Sequence, residues 1–257
     1  MPALDLSLLR QLGRPIHYYP SIDTTMRRAA ELAEQGEPAG AVVIAEEQTA
    51  GRGRLGRSWI SERGAGLYFS LILRPRLSAG DAAVVTLALG LAVARAIHRL
   101  TSTPCDLRWP NDVLLGGRKC CGILTEMAAE GDRVRHVIGG IGVNVNQTEL
   151  PAELMETATS LRLATGCEYS RDALLAEILN EADRYMGILV ERGPAIIVEL
   201  FTRASSYAEG KRVVVLNGTE QITGSTAGLT PAGSLLLRRD DGTVTPILAG
   251  SVRPVAE

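Results

Sequence analysis

Several chemistries are excluded by what this 257-residue chain has little of. It holds only three histidines (His17, His98, His136), far apart in sequence. Its four cysteines (Cys105, Cys120, Cys121, Cys167) include no C-x-x-C pair, and two of them are adjacent. A histidine-based metal site, a zinc ribbon and a disulfide frame are therefore unexpected, and reduced thiols in a cytoplasmic protein are the simpler reading. The net charge is −2, so no global basic field points to nucleic acid, and the few aromatics do not interleave with cations. The longest uncharged apolar run, Ala82 to Ala94, is shorter than the roughly 20 residues a membrane span needs. No basic start leads into an apolar core and cleavage site, so a soluble protein without a signal peptide is expected. Neither a Walker loop nor a serine-nucleophile motif occurs.

What is present is concentrated. The stretch Gln48-Thr-Ala-Gly-Arg-Gly-Arg-Leu-Gly-Arg-Ser-Trp59 contains Gly51, Gly53 and Gly56 together with Arg52, Arg54 and Arg57. Glycine lets a backbone come close to a bound group, and arginine offers a permanently charged fork matched to carboxylates and phosphates. The composition suits an anion clamp, mobile until a ligand orders it. The glycines spell G-x-G-x-x-G, but five residues separate them from the strand-like Ala41 to Ala45, and another strand, Leu67 to Leu73, follows. With no helix start to receive a pyrophosphate, the dinucleotide-binding reading fails.

The chain in order predicts a short helix over Leu4 to Gly13, a strand over Ile16 to Tyr19, and a helix capped around Asp23, Thr24 and Thr25. That cap is either simple helix capping or one wall of a pocket. A long, mostly buried helix is expected from Ala79 to Leu100. A meander of strands and tight turns follows, with Gly116-Gly117 and Glu130-Gly-Asp132 as its turns, and its last strand carries Asn144 and Asn146 on one side. Helices are expected over Arg171 to Glu191 and from there to about Arg203, broken at Gly193-Pro194. From Tyr207 onward, four short strands separated by Asn217-Gly218, Pro231-Ala-Gly233 and Asp241-Gly242 indicate a small barrel. The expected fold class is α+β: a mixed, largely antiparallel sheet flanked by helices over residues 1–206, with a closely packed C-terminal β-barrel over 207–257.

Three further stretches carry polar groups: Arg108-Trp-Pro-Asn-Asp112, Gly117-Arg-Lys-Cys-Cys-Gly-Ile-Leu-Thr-Glu126 and Gly139-Gly-Ile-Gly-Val-Asn-Val-Asn146. Taken singly, Lys119 reads as a solvated strand end and Asn111-Asp112 as a turn. Taken together with the arginine loop, they suit a reaction between two anions, which repel until fixed positive charge neutralises them.

In this order and spacing, GRGRLGRSW, RWPND, KCCGILTE and GIGVNVN resemble the biotin–protein ligase (biotin–[acetyl-CoA carboxylase] ligase) family, from about Tyr18 to the C-terminus. The resemblance implies a class II synthetase-like catalytic domain with an SH3-like C-terminal barrel. It also implies two steps: the biotin carboxylate attacks the α-phosphate of Mg²⁺-ATP, and a lysine of a biotin carboxyl carrier domain then takes the biotinyl group. Biotin contacts fall on Thr24, Thr25, Gln48, Gly51, Arg52, Gly53, Arg54, Lys119 and Gly122. Adenylate contacts fall on Arg54, Arg57, Trp59, Asn111, Lys119 and Asn144. Lys119, Arg54 and Asp112 are the implied catalytic residues, with Lys119 bridging the carboxylate and the α-phosphate. Asp112 either orients the incoming lysine or holds a metal, although no metal ligand set of the protein's own is expected. Met26 stands where the family often has Asn, and Arg108 where it has Lys. With this start, no N-terminal DNA-binding domain and no repressor function are expected. A monomer or homodimer that binds neither DNA nor membrane is the remaining expectation. A lipoate or octanoate ligase, which shares the acyl-adenylate logic, is the nearest alternative, and a nucleic-acid-binding module the more distant one.

Overall fold

The structure, a computed structural model, describes residues 3–11, 13–218 and 220–255. Seven strands form the larger sheet: β1 (Ile16–Tyr19), β2 (Val42–Ala45), β3 (Leu67–Leu73), β4 (Asp106–Arg108), β5 (Asp112–Leu115), β6 (Arg118–Glu130) and β7 (Arg133–Val143). Their spatial order is β1-β2-β3-β7-β6-β5-β4. Only β1 and β2 run parallel, and every other neighbouring pair is antiparallel. The expected mixed, largely antiparallel sheet is present. β2 (VVIA) and β3 (LYFSLIL) read as continuous apolar runs because both faces are covered, and every residue in them is buried.

The six helices among the described residues are α1 (Leu6–Arg10), α2 (Thr25–Glu34), α3 (Ala83–Thr101), α4 (Leu161–Thr165), α5 (Arg171–Arg192) and α6 (Pro194–Ala204). α3, α5 and α6 pack on one face of the sheet around the main core. α3 is apolar on nearly all sides because it lies between sheet and helices, and it is long and apolar enough by composition to pass for a membrane span while being mostly buried. α2 makes the parallel crossover from β1 to β2 and covers part of the opposite face. Its Met26, Ala29, Leu32 and Ala33 form one stripe that packs on Val43, Ile72 and Ile138. Among the described residues no helix covers the rest of that second face, over β6 and β7.

β8 (Glu209–Asn217), β9 (Glu220–Leu229), β10 (Leu235–Arg238), β11 (Val244–Ile247) and β12 (Ser251–Pro254) form a second, antiparallel sheet in the order β11-β10-β9-β8-β12. The turn glycines Gly218, Gly233 and Gly242 all have positive φ, the conformation that the turn pairs require. The sequence reading provides four strands here and misses β12. Arg253-Pro254 looks like a strand terminator, but β12 is an edge strand, where the missing proline N–H costs no ladder bond. The two sheets share one core: Val213, Val215, Leu235 and Leu237 cluster with Leu87 and Trp109. The Trp109 indole N–H donates to the Gly233 carbonyl at 2.8 Å.

One charged pair lies inside this packing. Arg171 Nη1 is 2.8 Å from Glu46 Oε2, with both side chains about 5% exposed or less. Glu46 Oε1 accepts from the Leu4 N–H at 2.8 Å and from the Tyr18 hydroxyl at 3.3 Å, and Arg171 also donates to the Gly66 carbonyl at 3.1 Å. The pair thus ties the N-terminal segment, β1, β2, the lead into β3 and α5 to one point.

Candidate active site

The uncovered part of the second face forms a cleft enclosing about 450 Å³, part of it open to solvent. Its floor is sheet with little side chain. Gly140 and Gly142 of β7 and Gly122 of β6 share the floor, and each is required there by what lies over it. A Cβ on Gly142 would come 2.4 Å from the Trp59 ring, one on Gly140 2.4 Å from Met26 Sδ, and one on Gly122 2.9 Å from Trp59 and 3.0 Å from Lys119 Nζ. We expect Gly142→Ala to raise the KM of whatever occupies the cleft by about tenfold, the effect of about 1.4 kcal/mol of overpacking. Steady-state kinetics with unchanged thermal stability would check it.

One wall of the cleft is the start of α2. Thr24 is the N-cap, its hydroxyl accepting from the Met26 N–H at 3.3 Å. Capping and pocket lining are here the same feature, since Thr24, Thr25 and Met26 all line the cleft. Gln48 Oε1 accepts from the Thr25 N–H at 2.9 Å and its hydroxyl at 3.1 Å, and Thr25 Oγ1 meets Ser70 Oγ at 2.8 Å. The other wall is the glycine–arginine stretch, folded as a small hairpin. Trp59 N–H donates to the Gly51 carbonyl at 2.9 Å and Gly53 N–H to the Arg57 carbonyl at 2.7 Å. Leu55 and Gly56 at its tip have φ of 57° and 73°. Arg52, Gly53, Arg54 and Trp59 face the cleft. The Trp59 indole N–H is buried with no hydrogen-bond partner among the described residues, a donor available to a ligand.

Arg54 crosses to the far side of the site. Its Nη1 lies 3.4 Å from Asn111 Oδ1 and 3.3 Å from the Gly250 carbonyl of the second sheet. Burial pushes its guanidinium below the ordinary value and Asp112 opposes that, yet an arginine so placed keeps its charge. Arg57 is exposed and reaches Ser251 Oγ at 3.5 Å.

Lys119 closes the end opposite α2. A regular strand would point residues 119 and 122 to opposite faces. The β5–β6 register shifts between Val113 and Leu114, so that Val113 pairs with Cys121 but Leu114 with Lys119. This bulge turns Lys119 to the same face as Gly122. Its ammonium sits 2.6 Å from Asp112 Oδ1 and 5.5 Å above the Trp59 ring. Asp112 Oδ2 takes Arg108 Nη2 at 2.8 Å. Burial alone would raise the Asp112 carboxyl, but Lys119 and Arg108 together hold it below its ordinary value of 3.8. It is therefore ionised throughout the neutral range. Asn111 is fixed by donating Nδ2–H to the Ile123 carbonyl at 2.7 Å.

The structure thus brings Thr24, Thr25, Gln48, Arg52, Gly53, Arg54, Trp59, Asn111, Lys119 and Gly122 around one cleft. Gly51 lies at the base of the hairpin, Arg57 at its outer side, and Asp112 behind Lys119. Asn144 is not among the residues that line the cleft. β7 ends at Val143, and Asn144 and Asn146 donate to the Thr159 and Tyr169 carbonyls at 3.0 and 2.8 Å, tying down the segment that leads to α5. In GGIGVNVN it is Gly140 and Gly142, rather than the Asn residues, that line the cleft. Glycines at alternate positions of a strand were the available signal for a bare floor. Phe69, Ile123, Leu124 and Ile141 also line the cleft. Their signal was hidden, because apolar strand residues read as core. Among the described residues no cluster of three or more His, Cys, Asp or Glu is arranged to hold a metal.

Known proteins resemble this chain in sequence and in fold. Residues 18–144 match the Biotin/lipoate A/B protein ligase family, and residues 210–252 the Biotin protein ligase C terminal domain. The bifunctional ligase/repressor BirA of Bacillus subtilis is 40% identical over 237 residues, covering 90% of this chain and 71% of its own. The biotin–[acetyl-CoA-carboxylase] ligase of Mycobacterium tuberculosis is 34% identical over 87% of this chain and 82% of its own. The structure of the Aquifex aeolicus biotin protein ligase in complex with biotin and ATP superposes with a TM-score of 0.80 at 32% identity, covering 94% of this chain and 99% of that one. Sequence and overall fold agree, and the chain belongs to the biotin protein ligase family.

Proposed function

We propose that this protein is an ATP-dependent, AMP-forming biotin–[acetyl-CoA carboxylase] ligase. A biotin carboxylate oxygen attacks the α-phosphorus of ATP. The bond from that phosphorus to the bridging oxygen breaks, and pyrophosphate leaves with the electron pair. The neutral ε-amine of a carrier-domain lysine then attacks the acyl carbon of biotinyl-5′-AMP. AMP leaves, and the amine gives up its proton as the amide forms. The magnesium arrives with the nucleotide as part of the substrate and offsets phosphate charge.

The observation that carries this reading is the cleft's polarity along its length. Neutral hydrogen-bonding groups, Thr24, Thr25 and Gln48, stand at one end, a bare glycine floor runs between, and Lys119 with Arg54 stands at the other. A neutral ring with an acidic tail fits that order. Lys119 is assigned to the carboxylate and the α-phosphate, and Arg54 to the phosphate from the opposite wall. Thr24, Thr25, Gln48, Gly51, Arg52, Gly53 and Gly122 are assigned to biotin, and Trp59, Asn111, Arg57 and Asn144 to the adenylate side. For Asp112, the contacts support a role different from either one the resemblance implies: one carboxylate oxygen is on Lys119 and the other on Arg108, so it fixes the position of Lys119 itself. Residues 1–206 form the ligase domain in this reading and 207–257 the C-terminal domain, which the Arg54–Gly250 contact couples to the site. The partner is a biotin carboxyl carrier domain, met in the cytoplasm.

Incubation with biotin, ATP, Mg²⁺ and a carrier domain, read by mass spectrometry, should add one biotinyl group to one carrier lysine. Unmodified carrier, or preferential transfer of lipoate, would refute the assignment.

A further inference from the structure

Ser61 does not line the cleft, yet it is the residue that joins the two walls. Gln48 Nε2–H donates to Ser61 Oγ at 3.1 Å. The same carboxamide's Oε1 takes the Thr25 N–H and hydroxyl at the start of α2. Gln48 precedes the hairpin and Ser61 follows it, so their bond crosses its base. Gly51 makes room for the crossing: a Cβ there would lie 2.4 Å from the Trp59 carbonyl, 3.2 Å from Ser61 Oγ and 3.3 Å from Gln48 Nε2. Three groups therefore converge on a position that only glycine fills without displacement. Trp59, two residues before Ser61, lies over Gly122 and Gly142.

We infer that Ser61 is a positioning residue for the ligase reaction: through Gln48 it locks the base of the arginine hairpin to the biotin-binding end of the cleft. The inference rests on the proposed function. Gln48 has one amide to share between the α2 wall and the hairpin. With its Nε2–H held by Ser61, Oε1 is fixed toward Thr25, and the cleft is preorganised before a ligand arrives. Without that bond Gln48 is held by Thr25 alone, and the base of the hairpin that carries Trp59 and Arg54 loses its side-chain tie to the α2 wall.

The test compares wild type, Ser61→Ala and Ser61→Thr by biotin-dependent pyrophosphate exchange, and by tryptic cleavage within residues 52–57 with and without biotin. For Ser61→Ala, the biotin KM should rise about 3- to 10-fold, the worth of one hydrogen bond, with kcat changed less than twofold. Biotin should also protect the hairpin less. Ser61→Thr, which keeps the hydroxyl, should restore both readouts. Wild-type KM and protection in Ser61→Ala would overturn the inference. So would equal losses in both variants with a lowered Tm, which would mark a merely structural role. A wild-type protein that exchanges no pyrophosphate with biotin would overturn the proposed function itself, and this role with it.

Discussion

Lys119→Ala is expected to slow adenylate formation by about 10²- to 10³-fold, the effect of removing one preorganised charge at a site of developing negative charge. The bulge between β5 and β6 aims this side chain into the cleft, and Asp112 holds its ammonium at 2.6 Å. Its partners survive its loss, because Asp112 keeps Arg108 at 2.8 Å. The fold should therefore remain intact while the chemistry fails, and circular dichroism with biotin-dependent pyrophosphate exchange separates the two. Lys119→Arg should not restore the rate, because a planar fork on a longer stem cannot occupy the narrow space above Trp59 and beside Gly122. Acid pH should not mimic the alanine variant until well below neutrality. The folded Asp112 is depressed below 3.8, so its ion pairs contribute fully above that value and are lost only as pH falls through the lower one. Exchange activity equal to wild type in Lys119→Ala would remove the lysine from the mechanism.

The second large effect concerns stability. Glu46→Ala should destabilise the protein by about 3–5 kcal/mol, since it strips a buried carboxylate from a buried guanidinium. The loss is not confined to one ion pair. Glu46 also receives the Leu4 N–H and the Tyr18 hydroxyl, so three segments lose an anchor at once. Replacing the pair together, as Glu46→Leu with Arg171→Met, should recover much of the loss by putting apolar volume where charge had to be desolvated. Urea denaturation of the three variants checks this; a Glu46→Ala loss below about 1 kcal/mol would place the pair among ordinary surface bridges.

Where the sequence was most legible, local chemistry and tertiary structure wanted the same thing. The turn glycines, the amphipathic α2 and α5, and the buried α3 follow from period and punctuation alone. The arginine hairpin stood out by composition, and ten of the residues expected around the site do surround one cleft. The shortfalls have physical causes. The β6 bulge cannot be read from KCCGIL, because register is set by the partner strand, and an unbulged strand would put Lys119 and Gly122 on opposite faces. Asn144 and Asn146 read as the end of a strand, but β7 stops at Val143 and the Asn144 amide holds the Thr159 carbonyl of the following segment. Glu46 and Arg171 lie 125 positions apart, and nothing local distinguishes either from a surface charge. Ser61 was invisible for the same reason: a half-buried serine acquires meaning only from the glutamine that reaches it.

In the proposed mechanism, fixed positive charge presented by one hairpin and one bulged strand joins two acids across a glycine floor. Trapping the acyl-adenylate tests it most directly. Purified protein with biotin, Mg²⁺ and α-labelled ATP should accumulate labelled biotinyl-5′-AMP without any carrier, and Lys119→Ala should accumulate it at least 10²-fold more slowly. If wild-type protein forms no such adenylate, or if Lys119→Ala forms it at the wild-type rate, the account is contradicted.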